Sequence, residues 1–235
     1  RDEKNNTLLI PSPRFSSGSA LIESRNSDIV LKDITLSDAE TLTPLLFDQI
    51  GGRLTLEKVY LARKGGNTSR LMQIRNGELT LRDCNLEVNS SGNVIALSSE
   101  GSKLLLIRTT LKTDNIAENT VLLDLRNKSH ISLTDSFIHT GTGRIINPIR
   151  ITDSELVMER SELACGAGAM TSTGIISSKS SLSIRDSNIY GNSAARITTC
   201  LSVTDSSLTL MRSQISADSA IGATAVKSEK IGRAH

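Results

Sequence analysis

Aromatic residues are scarce in this chain of 235 residues, which has no tryptophan, two tyrosines and three phenylalanines. Ordinary globular cores, and most surfaces that stack sugars or bases, use more rings than that. The core must therefore consist of leucine, isoleucine and valine together with small residues. Such a composition suits side chains that stack in aligned rows.

A strong net charge and a long apolar run are also missing. The 27 basic and 25 acidic residues leave a formal net charge of +2, so no overall field favours a nucleic acid or a membrane as partner. No apolar run approaches the ~18 residues of a membrane helix. We therefore expect no nucleic-acid partner and no membrane insertion of this segment.

Cysteines are few as well: Cys84, Cys165 and Cys200 have neither CxxC spacing nor a histidine cluster beside them. A zinc or redox motif is thus unsupported, and we expect small buried core residues. The sequence leaves open a bridge between Cys165 and Cys200. We expect no metal site, no cofactor and no catalytic residues.

What the chain does contain is an eight-residue block, which reads Leu-Thr-Leu-Arg-Asp-Cys-Asn-Leu at residues 79–86 and returns along the chain. Its eight copies end at residues 36, 61, 86, 111, 138, 163, 189 and 215. A period of 25–27 residues predicts a solenoid, in which each repeat buries its apolar face by stacking on its neighbours.

The phase within the block predicts a corner. With the last residue numbered zero, positions −7, −5, −2 and 0 are apolar or small, so the strand alternation slips by one residue between −5 and −2. Two short strands joined by a tight bend explain the slip. Since no segment has a helical period with caps, we predict an all-β fold, a right-handed parallel β-helix of about eight rungs.

One competing fold has the same block spacing, namely the leucine-rich repeat. That repeat carries a further leucine three residues before the block, where this chain has residues such as Gly51, Asn76 and Gly101. The β-helix is therefore favoured. We expect residues 1–19 to be a polar lead-in or N-terminal cap, and residues 20–235 to be the β-helix, as an excerpt of a longer protein.

Position −3, at the predicted corner, alternates in charge through all eight copies. Rungs stack at about 4.8 Å, so a column of one sign would repel itself and alternation makes neighbouring rungs attract. We interpret this column as a structural charge ladder. Its members are Asp33, Lys58, Asp83, Arg108, Asp135, Arg160, Asp186 and Arg212.

Outward positions offer a candidate binding surface. Positions −6 and −1 are predicted to form one flat, weakly polar strip, which suits an extended glycan or a protein surface. The candidate binding residues in the −1 column are Tyr60, Asn85, Thr110, Phe137 and Asn188.

The rung pattern resembles the right-handed parallel β-helix superfamily of pectin-lyase-like proteins, which includes pectate lyases, polygalacturonases, phage tailspikes and bacterial surface proteins. The resemblance covers about residues 20–230. The Asn-Thr-Asp, Asp-Asp and Gly-His-Gly motifs that polygalacturonases imply do not occur in this sequence. Pectate lyases imply an acidic calcium cluster, whereas the acidic column here is interrupted by a cation at every second rung.

From this resemblance we expect a non-catalytic, surface-displayed module of an exported bacterial protein, like an adhesin or an autotransporter passenger. The expected location is extracellular or at the cell surface, and the expected partner is an extended glycan or a host or matrix protein. The alternative is a polysaccharide lyase or glycoside hydrolase acting on extended glycans. A third interpretation is a structural spacer or trimeric fibre, and the sequence leaves open whether the chain is a monomer or a trimer.

Overall fold

A computed structural model describes residues 7–9, 20–39, 45–65, 68–114, 117–166, 168–191 and 195–229. All regular secondary structure in these ranges is β-strand. The strands form three parallel sheets, which extend along a stack of about eight rungs. The predicted all-β parallel β-helix is thereby confirmed. In a leucine-rich repeat, the part of each repeat outside the block would form a helical arc. In this protein that part forms the third strand of the rung.

Each rung contributes strands to sheets C, A and B in that order. Sheet C contains β3 (Asp28–Lys32), β6 (Arg53–Glu57), β9 (Glu78–Arg82), β12 (Lys103–Ile107), β15 (His130–Thr134), β19 (Glu155–Glu159), β22 (Ser181–Arg185) and β25 (Ser207–Met211). Sheet A contains β1 (Thr7–Leu9), β4 (Ile34–Ala39), β7 (Tyr60–Lys64), β10 (Asn85–Asn89), β13 (Thr110–Thr113), β16 (Phe137–Thr140), β20 (Glu162–Ala164), β23 (Asn188–Tyr190) and β26 (Gln214–Ser216).

Sheet B closes each rung. It contains β2 (Ala20–Arg25), β5 (Leu45–Ile50), β8 (Thr68–Arg75), β11 (Asn93–Glu100), β14 (Ala117–Arg126), β17 (Gly143–Ile146), β18 (Ile149–Thr152), β21 (Gly168–Ser178), β24 (Ile197–Thr204) and β27 (Gly222–Glu229). Of the predicted lead-in, residues 7–9 form β1, which pairs with β4. Residues 1–6 and 10–19 lie outside the described residues.

The four inward positions of the block form the core together with the inward residues of sheet B. In the second rung Leu54, Leu56, Val59 and Leu61 are each at most 1% exposed. Equivalent residues of successive rungs are in register, as Leu54 with Leu79 and Leu61 with Leu86. Each buried leucine contributes about 1.5–3 kcal/mol relative to an exposed one, so the stacking of rungs provides the stability that one rung lacks.

The predicted corner lies at position −3, the position of the charge ladder. All eight ladder residues have a left-handed backbone, with φ between 46° and 53°. This conformation costs a residue with a Cβ about 1–2 kcal/mol. Hydrogen bonds between rungs offset that cost in the first seven rungs, because the corner N–H donates to a strand-end carbonyl of the next rung, as Lys58 N does to Arg82 O at 2.9 Å.

A second left-handed corner joins sheet B to sheet C, three residues before the block. Its residues have φ between 48° and 65°, and six of the eight are glycine, asparagine or aspartate, the types that most readily adopt this conformation. They are Asn26, Gly51, Asn76, Gly101, Lys128, Asp153, Lys179 and Asp205. At this position we predicted only the absence of the leucine of a leucine-rich repeat, and the corner itself was not predicted.

Side-chain hydroxyls close both corners from the fourth rung onward, beginning with Thr109 at the first corner and Ser102 at the second. At position −2 the N–H of Ser136 donates to Ser161 Oγ at 3.0 Å, and the Ser161 hydroxyl donates to Glu159 O at 2.8 Å. At the second corner the N–H of Ser129 donates to Ser154 Oγ at 3.1 Å, and that hydroxyl donates to Thr152 O at 2.9 Å. Each hydroxyl therefore links two rungs while satisfying buried backbone groups.

Sheet B is interrupted once between Gly143 and Thr152. Strands β17 and β18 lie on either side of Asn147 and Pro148, and both pair with β14 and with β21. The carbonyl of Pro148 accepts the N–H groups of Leu122 and Leu123, each at 2.8 Å. Proline has no N–H to continue the ladder, so the strand breaks there and resumes in register.

Candidate functional site

The predicted binding residues lie on one face of the molecule. Tyr60, Asn85, Thr110 and Phe137 occupy equivalent positions of adjacent sheet A strands, and Asn188 continues the row beyond Glu162. We call this outward column the sheet A row. It consists of Thr35, Tyr60, Asn85, Thr110, Phe137, Glu162, Asn188 and Gln214.

The −6 column does not join this row. Its residues lie in sheet C, as Thr55 in β6 and Thr80 in β9, and the left-handed corner separates them from sheet A. The expectation of one strip formed by both columns was therefore wrong. A single-residue corner redirects the chain, so outward residues before and after it belong to different sheets.

A second outward column, at position +1, accompanies the sheet A row. Glu87, Lys112 and His139 lie in register there, one strand apart. These residues were not predicted, because the repeated block ends at position 0. The strand alternation continues past that point, and this continuation was the signal that could have identified them.

Glu87 is the centre of a hydrogen-bonded network on this face. It is 8% exposed, and its Oε2 accepts the Tyr60 hydroxyl at 2.9 Å while its Oε1 accepts Asn89 Nδ2 at 2.9 Å. Lys112 Nζ lies 3.3 Å from the same carboxylate and 3.0 Å from Asp114. Burial, and then the Glu87 carboxylate, raises the pKa of Tyr60, so this hydroxyl stays protonated and acts as a donor.

Two further features distinguish the sheet A row. The rings of Phe137 and His139 stack with centroids 5.8 Å apart and planes 11° from parallel. Between Tyr60 and Thr110, the buried Asn85 Oδ1 has no hydrogen-bond partner among the described residues. The face thus offers a small aromatic platform, hydroxyl and amide groups and one paired carboxylate, which suits recognition of a polar extended ligand.

The three arginines of the charge ladder form ion pairs with aspartates of the same ladder. Each ladder arginine binds the aspartate of the preceding rung through two nitrogens: Arg108 with Asp83 at 2.6 and 2.9 Å, and Arg160 with Asp135 at 2.8 and 3.3 Å. Arg212 binds Asp186 in the same way, at 2.6 and 2.8 Å. These hydrogen bonds lower the pKa of all three aspartates.

Asp124 on sheet B forms the most buried ion-pair cluster of the described residues. It is 4% exposed and binds Arg150 at 3.0 and 2.7 Å and Arg126 at 3.2 and 2.9 Å. Burial by itself raises the pKa of Asp124, but the hydrogen bonds from Arg150 and Arg126 outweigh it and lower the pKa. The carboxylate is therefore ionised and shared between two guanidinium groups.

His130 and Glu159, whose side chains are of types common in active sites, are paired with neighbouring side chains. His130 Nδ1 lies 2.9 Å from Glu155, and Glu159 lies 2.9 Å from Arg160. Within the described ranges, no group of three or more histidine, cysteine, aspartate or glutamate side chains is arranged to hold a metal ion. The same ranges contain no helix with the length and hydrophobicity that a membrane crossing requires.

All three cysteines are buried free thiols. Burial raises the pKa of Cys165 to about 12 and that of Cys200 to about 11. Thiolates are the reactive form, so neither thiol is a nucleophile at neutral pH. Cys84 occupies a corner position, where its thiol contacts Leu56 O at 3.3 Å and Arg82 O at 3.2 Å, the same types of contact that the corner serines make.

Comparison of the chain with protein-family models, with curated proteins and with solved structures found no significant match.

Proposed function

We propose that this protein is a non-catalytic β-helix module of an exported bacterial protein, which presents the outer face of sheet A to an extended partner. The proposal includes membership of the pectin-lyase-like superfamily, an adhesin- or passenger-like role, and a location outside the cell or at its surface. The rung length and the three parallel sheets support the superfamily.

One observation carries the binding role. The sheet A row extends in register over consecutive strands, with Tyr60, Asn85, Thr110 and Phe137 following each other. Their spacing along the solenoid is the strand separation of about 4.8 Å. A repeating ligand that lies along this axis meets an equivalent outward position at every rung. Solenoids commonly bind partners through such extended surfaces.

The preferred ligand is a glycan, because the face combines a ring platform with neutral and charged hydrogen-bonding groups. Phe137 and His139 provide the platform, and the Tyr60–Glu87–Lys112 network provides fixed donors and acceptors. A hydroxyl-rich chain can exchange its water contacts for these groups, whereas an apolar ligand would leave them unsatisfied.

The test is a screen of immobilised acidic and neutral polysaccharides and matrix proteins, with retention and product formation measured together, in calcium and again with chelator. We expect retention on an extended glycan without product. Phe137→Ser should reduce that retention at least about fivefold, which corresponds to about 1 kcal/mol. The matched control is Val157→Ser, an outward residue of neighbouring sheet C, which should leave retention unchanged.

Product formation would contradict the non-catalytic role, and loss of product on chelation would indicate a lyase. Equal retention of the Phe137 and Val157 variants would contradict the assignment to sheet A. If nothing is retained, a spacer is the better account, and light scattering then distinguishes a monomer from a trimeric fibre.

A further inference from the structure

Sheet B carries a depression of about 360 Å³ beside the break at Asn147 and Pro148. It lies on the strands β8, β11, β14 and β18 and on the segment that joins β17 to β18. The polar residues that line it are two arginines, three asparagines and a threonine: Arg70, Arg150, Asn93, Asn119, Asn147 and Thr68. We propose that this depression binds the carboxylate or sulfate group of an acidic saccharide.

The depression carries an excess of positive charge. The Arg70 Nε atom is buried and has no hydrogen-bond partner among the described residues. Arg150 also lines the depression, and it shares the buried carboxylate of Asp124 with Arg126. Arg70 and Arg150 thus bring two guanidinium groups to the depression, and none of the lining residues that the structure describes is acidic. The excess positive charge favours an anion.

The cationic groups at the depression are guanidinium groups, which suit an anion with two equivalent oxygens. A guanidinium group presents planar, paired donors that match the two oxygens of a carboxylate or sulfate. Arg150 already uses Nε and one terminal nitrogen on Asp124, at 3.0 and 2.7 Å, which fixes its orientation. Arg70 has no such anion in the described structure, and a bound ligand can supply it.

The remaining lining favours a saccharide over a bare anion, and an acidic peptide is the alternative that the test below distinguishes. Asn119 Nδ2 donates to Asn93 Oδ1 at 2.8 Å, so these two amides are held one above the other along the solenoid axis. Amides both donate and accept, as sugar hydroxyls do. Ile95 and Val121 add an apolar surface, against which the C–H face of a sugar ring can pack.

The strand break explains why the depression occurs at this rung. Asn147 is held by its own N–H, which donates to Thr120 O at 2.9 Å, and the following proline ends the ladder. The irregularity brings the side chain of Asn147 to the edge of the depression. Breaks in regular strands often position functional side chains.

This site goes beyond the proposed function, because it lies on sheet B and not on the sheet A row. The experiment measures binding of the full chain to an oligogalacturonate and a sulfated heparin oligosaccharide, with a neutral dextran oligosaccharide of similar length and poly-glutamate as comparisons. The variants are Arg70→Gln, Arg70→Lys and, as matched control, Arg196→Gln. The control removes the same charge from an exposed residue near β24.

We expect both acidic saccharides, or one of them, to bind more tightly than dextran and poly-glutamate. Arg70→Gln should weaken that binding at least about fivefold, Arg70→Lys should weaken it less, and Arg196→Gln should leave it unchanged. Equal binding by the Arg70→Gln and Arg196→Gln variants would overturn the proposal. Preference for poly-glutamate would overturn the saccharide assignment, and lack of preference for acidic chains would overturn the anion site.

Sheet A variants separate this proposal from the previous one. If Phe137→Ser abolishes binding of the acidic saccharide while Arg70→Gln does not, the sheet A role stands and the sheet B site is refuted. The reverse result supports the sheet B site and refutes the sheet A row as the surface for that ligand.

Discussion

The corners of the first rungs and those of the last rungs have the same backbone but different side chains. Lys58 and Arg160 both have a left-handed φ, 53° and 46°. The residue that follows is buried Val59 in the first case and buried Ser161 in the second. The backbone hydrogen bonds between rungs therefore define the corner, and side chains adapt to it in two ways, by apolar packing or by a hydroxyl ladder.

The second corner shows the same contrast. The second rung uses two glycines, Gly51 and Gly52, both at positive φ, and the amide of the buried Gln49 donates to Gly51 O and to Ser27 O. Later rungs use Ser154 and its equivalents. The two halves should therefore respond differently to substitution, as the following changes test.

The largest effect is expected in the early corner. A Cβ at Gly52 would approach the backbone of Ser27, to within 2.6 Å of its nitrogen, and φ there is +62°. Gly52→Ala should cost about 3 kcal/mol of unfolding free energy, measured by urea denaturation. The matched control is Gly222→Ala, where nothing lies within 4 Å of the new atom. A loss at Gly52 no larger than at Gly222 would contradict the packed-corner account.

In the late corner, Ser161→Ala should cost about 1–3 kcal/mol, because the buried N–H of Ser136 loses its acceptor. Ser183→Ala, an outward change in neighbouring sheet C, should alter stability by less than about 0.5 kcal/mol. Urea midpoints measure both variants. If they unfold alike, the serine ladder contributes nothing beyond filling space.

Asp135→Arg tests the charge ladder in the same half. The new arginine would lie between Arg108 and Arg160 and would remove the Arg160 pair. Arg108 and Arg160 both adopt the left-handed corner, with φ of 47° and 46°. An arginine at position 135 can therefore adopt it as well, and the change in stability reports on charge. We expect a small fall in melting temperature, larger at about 10 mM than at about 0.5 M salt. A fall independent of salt, or no fall, would mean that the ladder is not electrostatic.

The smallest effect is expected for Cys84→Ser. This substitution places a serine hydroxyl, as found in the later corners, at a corner of an early rung. The thiol already contacts two carbonyl oxygens, and the N–H of Val59 already donates to it. Stability should change by less than about 1 kcal/mol, and Cys84→Ala should cost more. Greater destabilisation by serine than by alanine would show that early corners do not accept a hydroxyl.

The first corner could be predicted from the sequence because a slip in alternation is local information. The second corner was not predicted, although six of its eight residues are glycine, asparagine or aspartate, the types that favour a left-handed backbone; Lys128 and Lys179 break that pattern. In the charge ladder, the alternation of charge sign shows that neighbouring residues attract each other. It does not show whether an arginine binds the aspartate of the preceding or of the following rung. Packing decides that Arg108 binds Asp83 of the preceding rung.

The candidate site was predictable to a similar extent. The period of the repeat aligns Tyr60, Asn85 and Thr110 without any further information. The contact between Tyr60 and Glu87 is diagonal, joining residues 27 positions apart, and so depends on side-chain conformation. The depression on sheet B depends on one broken strand, which a pattern built from regular repeats does not contain.

Hydrogen exchange with and without the retained glycan tests most directly whether the outer face of sheet A is the binding surface. We expect the ligand to increase protection in β7, β10, β13 and β16 and to leave the sheet C strands unchanged. Increased protection confined to sheet C, or to β8, β11 and β14 of sheet B, would contradict it.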